Sequence, residues 1–183
     1  MQLPLWRVYY SGGAYPTQWN EFRYVGPIPK MRFDPYLPPL RVQPRGIMYA
    51  AADACTAVAE VFQDTRIITG ARGATLVGWQ PARELVLLDL TDTYLARAGA
   101  SASLATGPKR VTQQWAERID AQFGRDIDGV YYASPMTGRP CFALSERAVD
   151  CLPANPAFHR SIDDPAIRSN IGEMAVEIGY AVR

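Results

Sequence analysis

This chain of 183 residues contains too few histidines and cysteines for a metal site or a disulfide framework. The chain contains a single histidine, His159, which is too few for a histidine-rich metal site. The three cysteines, Cys55, Cys141 and Cys151, are odd in number and do not have the spacing of a metal-ligand pair. We therefore predict no metal site and no disulfide framework, and we interpret Cys55 and Cys141 as small core residues.

An excess of positive charge is also missing. Nineteen Lys and Arg residues stand against 18 Asp and Glu residues, which gives a net charge of +1 without any basic run. Nucleic-acid-binding proteins usually carry a basic excess, so direct nucleic-acid binding is not predicted, although a local patch stays open. No apolar run approaches the roughly 20 residues of a membrane span, and no signal peptide is visible. These absences predict a cytoplasmic protein that is not bound to a membrane.

Lysine is scarce, since it occurs only at Lys30 and Lys109, and the other cationic side chains are arginines. An arginine fork binds planar anions and phosphates through paired hydrogen bonds, so this bias is compatible with phosphate chemistry. A GC-rich genome produces the same bias and explains it more simply. The glycine-rich motif of dinucleotide-binding sheets, the P-loop, the nucleophile elbow and the zinc-protease motif are all missing from the sequence.

Short segments with strand and helix signals follow one another along the chain. Strands are predicted at residues 3–10, 46–50, 74–80, 84–90, 128–134, 140–144 and 180–182, and helices near residues 53–62, 94–100, 111–123 and 166–177. A small-residue loop is predicted at 101–108. Short strands of this kind argue against a doubly wound parallel sheet. We expect one domain over residues 1–183, of the α/β class (α+β type), with mixed or antiparallel strands and several helices.

Proline is concentrated between residues 15 and 45, which hold seven of the fifteen prolines. This density excludes a long helix, and we predict an irregular region. Its aromatic residues argue against disorder and favour an ordered binding loop. Arg32 lies there beside Phe33 and before a turn signal. Its guanidinium can bind a phosphate or carboxylate, but a salt bridge to a nearby acid is the simpler interpretation from the residues alone.

The unit from Gly46 to Phe62 combines a short strand with a helix that begins near Asp53, a suitable N-cap. Its apolar stripe consists of Ala54, Val58, Val61 and Phe62. Glu60 lies on the opposite face with Thr56. A carboxylate opposite an apolar stripe is usually a solvated surface residue, so the periodicity alone does not mark Glu60 as functional.

Two further polar residues occur in predicted strands. Ser134 ends the strand that begins at Asp128, and strand ends often carry site residues, although a turn serine that caps the next segment is the simpler alternative. Arg7 interrupts the apolar strand from Leu3 to Tyr10. It either faces outward or lines a cleft with its cationic side chain.

A series of short motifs carries a resemblance to a known family. In chain order they are Leu5-Trp6-Arg7-Val8, Met31-Arg32-Phe33-Asp34, Ile47-Met48-Tyr49-Ala50 with Ala57-Val58-Ala59-Glu60-Val61, Leu88-Asp89-Leu90, Gln113-Gln114-Trp115-Ala116, Asp128-Gly129-Val130-Tyr131-Tyr132-Ala133-Ser134, and Ile162-Asp163-Asp164-Pro165. This ordered set, which spans nearly the whole chain, resembles the RES domain. The family is named for an arginine, a glutamate and a serine, and the match makes these Arg32, Glu60 and Ser134.

The resemblance implies a fold related to ADP-ribosyltransferase toxins and a bacterial toxin that depletes NAD by cleaving its nicotinamide–ribose bond. NAD is then a substrate and no cofactor is implied. The implied partner is an antitoxin with an Xre-type helix-turn-helix, and a homodimer is left open. Transfer of ADP-ribose to a protein target and a non-catalytic binding domain of the same fold are the alternatives. The sequence departs from the family pattern at Met31, in the proline-rich stretch from Tyr36 to Arg45, and at Pro135.

The resemblance also implies a role for each matched residue. Glu60 would stabilise the cationic ribosyl transition state, and Arg32 would bind the pyrophosphate or ribose side of NAD. Ser134 would hold Glu60 or the ribose. Tyr49 would stack on or wall the nicotinamide. Arg7 is a weaker candidate for a phosphate contact.

Overall fold

The computed structural model describes residues 3–100, 104 and 106–183, and contains four α-helices and ten strands within them. The helices are α1 (Ala54–Phe62), α2 (Tyr94–Arg97), α3 (Lys109–Phe123) and α4 (Arg168–Ile178). The strands are β1 (Leu5–Tyr10), β2 (Arg23–Gly26), β3 (Arg41–Ala51), β4 (Ile67–Ile68), β5 (Ala74–Trp79), β6 (Leu87–Asp89), β7 (Gly129–Ala133), β8 (Pro140–Ser145), β9 (Phe158–Ser161) and β10 (Ala181–Val182). None of the helices in these ranges is long and apolar enough to cross a bilayer.

Eight strands form one mixed sheet in the order β6-β7-β8-β3-β1-β5-β9, with β2 paired to β3. β6 and β7 run parallel, and the other pairs in this sheet are antiparallel. β4 and β10 form a separate parallel pair. The predicted mixed α/β class is therefore confirmed, and the sheet is not the doubly wound parallel type.

The strand registers place alternate side chains of β3 on the two faces of the sheet. Ile47, Tyr49 and Ala51 face the helices, where they pack with Ala57 of α1 and Ile119 of α3. The intervening side chains of β3 face a second core, which is covered by Phe22 and by Ala148 and Cys151 of a short 3-10 helix (Glu146–Cys151). α4 packs against α1 beside β1 and β5 on the helical face. Because side chains alternate along a strand, the face on which a residue lies decides whether it can meet α1.

The prediction of an irregular region at residues 15–45 is wrong in part. β2 lies within it, and β3 begins at Arg41 rather than Gly46 and runs through Pro44. The buried Tyr36 anchors the segment, because its hydroxyl donates to the carbonyl of Arg45 at 2.7 Å. Proline is tolerated here because the start of β3 pairs with β2 at an edge of the sheet.

Other boundaries shifted by a few residues. The strand predicted at 84–90 is only Leu87–Asp89, and β4 and β9 were not predicted. The last helix ends as predicted at Gly179, which adopts the left-handed conformation that glycine reaches at little cost. Of the loop predicted at 101–108, residues 101–103 and 105 lie outside the described part of the chain.

Helix α1 begins as predicted with Asp53 as its N-cap. The Asp53 carboxylate accepts a hydrogen bond from the Thr56 backbone N–H at 2.8 Å and another from the Thr56 hydroxyl at 2.8 Å. It also pairs with Arg139 at 3.3 Å, but both side chains are substantially exposed. Exposed ion pairs contribute little to stability, so the cap is the main contribution of Asp53 to the helix.

We expect Asp53→Ala to lower the free energy of unfolding by about 1 kcal/mol, because α1 loses the acceptor for one of its unpaired N–H groups. Asp53→Asn keeps an oxygen at the cap and loses the charge, so it should remain within about 0.5 kcal/mol of the wild type. Urea denaturation of both variants measures this. If both substitutions lower the free energy of unfolding equally, the stabilisation by Asp53 comes from its ion pair with Arg139 and not from the cap.

Candidate active site

Glu60 and Ser134 are joined by a short hydrogen bond on the helical side of the sheet. The Ser134 hydroxyl donates to Oε1 of Glu60 at 2.5 Å. The same hydroxyl oxygen accepts from the backbone N–H groups of Met136 at 3.0 Å and Thr137 at 3.2 Å. Because a hydroxyl carries only one proton, these two accepted bonds direct that proton to the glutamate.

The face of α1 that carries Glu60 is covered rather than solvated. Thr56, one turn before Glu60, is fully buried, and its hydroxyl meets the Thr137 hydroxyl at 2.9 Å. The turn that follows β7 therefore packs over this face of α1. It is closed by a backbone hydrogen bond from Gly138 N–H to the Ser134 carbonyl at 2.8 Å. The simple interpretation of Glu60 as a solvated surface residue is thus wrong, since helical periodicity does not show a loop that returns from residue 134.

The electrostatic environment of Glu60 contains opposing contributions. Burial raises the pKa of the Glu60 carboxyl, while the Ser134 hydrogen bond and the charges of Arg32 and Lys109 lower it. Burial is the largest of these effects, so the pKa lies above its ordinary value. Among the residues that the structure describes, the second oxygen, Oε2, has only a long contact of 3.5 Å, with the Gln63 amide. That oxygen is the part of the carboxylate that is left to interact with a ligand.

Arg32 reaches the same region from the loop between β2 and β3. Its guanidinium donates to the carbonyl of Gly107 at 2.7 Å, two residues before α3 begins. The simpler sequence interpretation, a salt bridge from Arg32 to a nearby acid, is not found among the described residues. One arm of the guanidinium is held by the protein, and its charge acts on Glu60.

Tyr49 holds the loop that carries Arg32. Its hydroxyl accepts from the Phe33 backbone N–H at 3.0 Å and donates to Oδ1 of Asp34 at 2.9 Å. Asp34 is fully buried, also accepts from the Ile28 N–H at 2.8 Å, and pairs with Arg23 at 2.5 Å. The Tyr49 hydroxyl is therefore engaged within the protein, and its partly buried ring packs against the core on the helical side of the sheet.

Three neighbours of this cluster were not singled out as site residues. The buried Tyr132 packs against Phe33 with ring centroids 4.4 Å apart and the rings tilted by 46°, and burial raises the pKa of its hydroxyl well above its ordinary value. Lys109 opens α3 and lowers the pKa of Glu60. Gln113 lies one turn further along that helix and contacts the Arg32 loop. The rarity of lysine was a signal for Lys109, and Gln113 and Tyr132 lie within motifs of the family resemblance, although neither was assigned a role there.

Arg7 is not brought into this cluster. It pairs in register with Val77 and lies with Leu5 on the face of the sheet opposite α1. Its guanidinium donates to the carbonyls of Trp19 at 3.0 Å and Glu21 at 3.2 Å. Burial lowers the pKa of Arg7 to about 10. The sequence offered a cleft or an outward position for this arginine, and the structure places it beneath the loop that contains Trp19.

A separate open cavity of about 510 Å³ lies next to the turn that carries Ser134. Its lining includes Ala59, Met136, Thr137, Arg139, Glu177 and Tyr180. Arg139 is already paired with Glu177 and Asp53, and neither Glu60 nor Arg32 lines the cavity. We therefore place the candidate active site at Glu60, a carboxylate whose displaced pKa is influenced by the charges of Arg32 and Lys109, rather than in this cavity.

The arrangement suits electrostatic stabilisation of a cation beside a bound anion. Glu60 offers a carboxylate whose orientation is set by Ser134, and Arg32 offers a guanidinium that is held in place. Ser134 is 3% exposed and directs its proton to Glu60, so it is suited to orient the carboxylate and not to attack a substrate. The described residues contain no group of three or more His, Cys, Asp or Glu side chains that could hold a metal ion.

Comparison with known proteins adds a family and a fold. The family model for the RES domain matches residues 4–165. The structure is similar to a chain in the crystal structure of the M. tuberculosis MbcT–MbcA toxin–antitoxin complex. The TM-score is 0.56 at 18% sequence identity, over 93% of this chain and 89% of that chain. At this identity the similarity establishes a shared fold. No curated protein matches the sequence.

The raised pKa of Glu60 predicts a stability effect with a definite sign. When the pKa of a carboxyl group is higher in the folded state than in the unfolded state, the folded protein loses stability as the pH rises through that pKa. The reason is that the folded state binds the proton more tightly and must then release it. We therefore expect Glu60→Gln to be more stable than the wild type at pH 7. Gln keeps an oxygen that accepts from Ser134 and carries no buried charge. The difference in stability between Glu60→Gln and the wild type should become smaller towards pH 4, where the wild-type carboxyl is largely protonated.

Chemical denaturation at both pH values measures this difference. Glu173, an exposed glutamate of α4 that is in no ion pair among the described residues, provides a matched control, and Glu173→Gln should change stability little at either pH. A Glu60→Gln variant that is less stable than the wild type at pH 7 would contradict the assignment of burial as the dominant effect.

Proposed function

The chain belongs to the RES domain family, and from this membership and the Glu60 site we propose that it cleaves the nicotinamide–ribose bond of NAD. The observation that carries the proposal is the short hydrogen bond that orients the half-buried Glu60 carboxylate, whose pKa is lowered by the charge of Arg32. NAD is the substrate in this reaction, and no additional cofactor takes part.

The chemistry requires mainly a fixed negative charge. The bond between the ribose carbon and the nicotinamide nitrogen breaks, and its electron pair returns to the ring, which leaves as neutral nicotinamide. The ribose acquires oxocarbenium character, and Glu60 stabilises that positive charge. An oxygen of water or phosphate then forms the new bond to the ribose carbon and releases its proton to the solvent, giving ADP-ribose or its phosphorylated form. The two acceptors correspond to a glycohydrolase and a phosphorylase.

Each neighbouring residue has a distinct part in this proposal. Arg32 has guanidinium nitrogens beyond the one bound to Gly107, and these bind the pyrophosphate of NAD. The ring of Tyr49 contributes a wall for the nicotinamide, since its hydroxyl is occupied by the Arg32 loop. Ser134 maintains the rotamer of Glu60 from its buried position. Because Arg7 lies on the opposite face of the sheet, we assign it no part in NAD binding.

A biological role follows from the same family membership. The solved structure with a similar fold is a toxin in complex with its antitoxin. We propose that this chain is likewise a toxin, which acts in the bacterial cytoplasm by depleting NAD and is neutralised by a protein antitoxin. An antitoxin with an Xre-type helix-turn-helix is the proposed partner.

Incubation of purified protein with NAD tests the reaction, with products identified by mass in the presence and absence of phosphate. We expect release of nicotinamide. Glu60→Gln should reduce the rate on the order of 10²–10³-fold, as for the loss of one preorganised electrostatic group. The Gln side chain preserves the bond from Ser134, so the folded state persists.

Glu173→Gln is again the matched control and should keep the wild-type rate. Full activity of Glu60→Gln would contradict the role of this carboxylate. If label from NAD accumulates on protein in a cell lysate, the reaction is transfer of ADP-ribose to a protein and not cleavage of free NAD. If the wild type does not turn over NAD at all, the chain is a non-catalytic binding domain.

The Ser134 hydrogen bond predicts a change in pH dependence. This bond stabilises ionised Glu60 and lowers its pKa, so Ser134→Ala should raise the pKa further. If ionised Glu60 is the active form, the rising limb of the kcat/KM profile then moves to higher pH. The exposed serine of α4 supplies the control Ser169→Ala, whose profile should match the wild type. An unmoved limb in Ser134→Ala would show that this hydroxyl does not control the ionisation of Glu60.

A further inference from the structure

We propose that Gln113 is a positioning residue for Arg32, which acts by holding the loop that carries the arginine. This inference deepens the proposed function and rests on it, because it concerns how the site presents Arg32 to NAD. The geometry that points to it is a pair of hydrogen bonds from one side-chain amide of α3 to two carbonyls of the loop between β2 and β3.

Both hydrogen bonds come from the same nitrogen. Nε2 of Gln113 donates to the carbonyl of Ile28 at 2.9 Å and to the carbonyl of Met31 at 2.8 Å. An amide nitrogen carries two hydrogens, so both donors are used and each has its own acceptor. The two carbonyl oxygens also determine which way the amide faces, because its oxygen would be repelled in that position.

These two carbonyls lie at points that determine the shape of the loop. The Met31 carbonyl belongs to the peptide bond that leads into Arg32, and the Met31 N–H itself donates to the Ile28 carbonyl at 2.9 Å. Gln113 therefore bridges the two ends of the turn from Ile28 to Met31 by a hydrogen bond to the carbonyl at each end. On the other side of Arg32, the Phe33 N–H is held by the Tyr49 hydroxyl. The backbone is thus restrained immediately before and immediately after the arginine.

Helix α3 connects this restraint to the arginine side chain. The guanidinium of Arg32 donates to the Gly107 carbonyl, and Gly107 lies two residues before the helix that carries Gln113. Lys109, whose charge acts on Glu60, is in the first turn of the same helix. The start of α3 therefore holds the Arg32 loop at the backbone through Gln113 and at the side chain through Gly107.

Gln113 is suited to positioning rather than to core packing. It is half-buried and does not belong to the hydrophobic cluster, to which α3 contributes Ala116 and Ile119. An apolar residue at this site would pack as well but would remove one hydrogen bond from each of the two carbonyls. The Ile28 carbonyl would keep its bond from the Met31 N–H, whereas the Met31 carbonyl would lose the bond from α3. Displacement of a binding group by about 1 Å can cost up to 10²-fold in rate, so a small movement of the loop is sufficient to affect Arg32.

The test is a double-mutant cycle of Gln113→Met and Arg32→Met on the complete chain, measured by NAD turnover. Met is close to Gln in length and cannot donate a hydrogen bond. If Arg32 binds substrate and transition state alike, its displacement raises KM and leaves kcat nearly unchanged. We expect Gln113→Met to raise KM about tenfold with kcat within about twofold. In the Arg32→Met background, the same substitution should change KM by less than about twofold.

The neighbouring glutamine provides the control, since Gln114 is exposed on the same helix and Gln114→Met should behave as the wild type. An equal increase in KM from Gln113→Met in both backgrounds would overturn the inference, because the residue would then act independently of Arg32. An unchanged KM in the wild-type background would overturn it as well.

A second readout separates this inference from the proposed reaction. Hydrogen exchange measured by mass should be faster over residues 28–34 in Gln113→Met than in the wild type, and unchanged over α1. Unchanged exchange over 28–34 would overturn the positioning role even if NAD is cleaved. A wild type that does not turn over NAD overturns the proposed function, and the exchange experiment then tests whether Gln113 positions the loop.

Discussion

One hydrogen bond, from Ser134 to Glu60, depends on most of the fold being in place. It joins residues 74 positions apart. Formation of this bond requires α1 to pack on the helical face of the sheet, β7 to end beside it, and the turn after β7 to fold back over α1. The N–H groups of Met136 and Thr137 then occupy the acceptor positions of the serine, so its proton has one destination. A contact of the candidate site is thereby produced by backbone geometry, since the turn after β7 orients the hydroxyl.

The same arrangement means that ionised Glu60 lowers the stability of the folded protein but provides a charge that the proposed chemistry needs. Burial disfavours the ionised carboxyl, and the charges of Arg32 and Lys109 offset only part of that effect. A protein selected for stability alone would place an uncharged side chain here. Retention of the carboxylate is understandable if its charge is needed when a cation develops in the site. A partly desolvated charge also acts more strongly than a solvated one, because water screens it less.

Much of the fold was predictable because it depends on local signals. Short β-prone or apolar segments bounded by turn residues predicted β1, β5, β7 and β8 closely, and the N-cap at Asp53 and the stop at Gly179 gave the limits of their helices. The extent of β3 was not predictable, because prolines that normally end a strand are accepted where it pairs at an edge. The resemblance supplied Arg32, Glu60 and Ser134, whereas periodicity alone placed Glu60 on the surface. Contacts such as that of Gln113 with Met31 join distant segments, and no local pattern reports them.

The two charged groups of the site are held by separate parts of the protein. The turn after β7 orients Glu60, while β3 and the start of α3 hold Arg32 through the Tyr49 hydroxyl and the Gln113 amide. None of these hydrogen bonds requires a ligand, so the charges are positioned before any substrate arrives. Preorganised groups stabilise a developing charge without further rearrangement, which is the main source of electrostatic catalysis. The ordered aromatic and proline-rich loop around Arg32 is thus a structural requirement of the site, because a mobile loop would have to be ordered at each binding event.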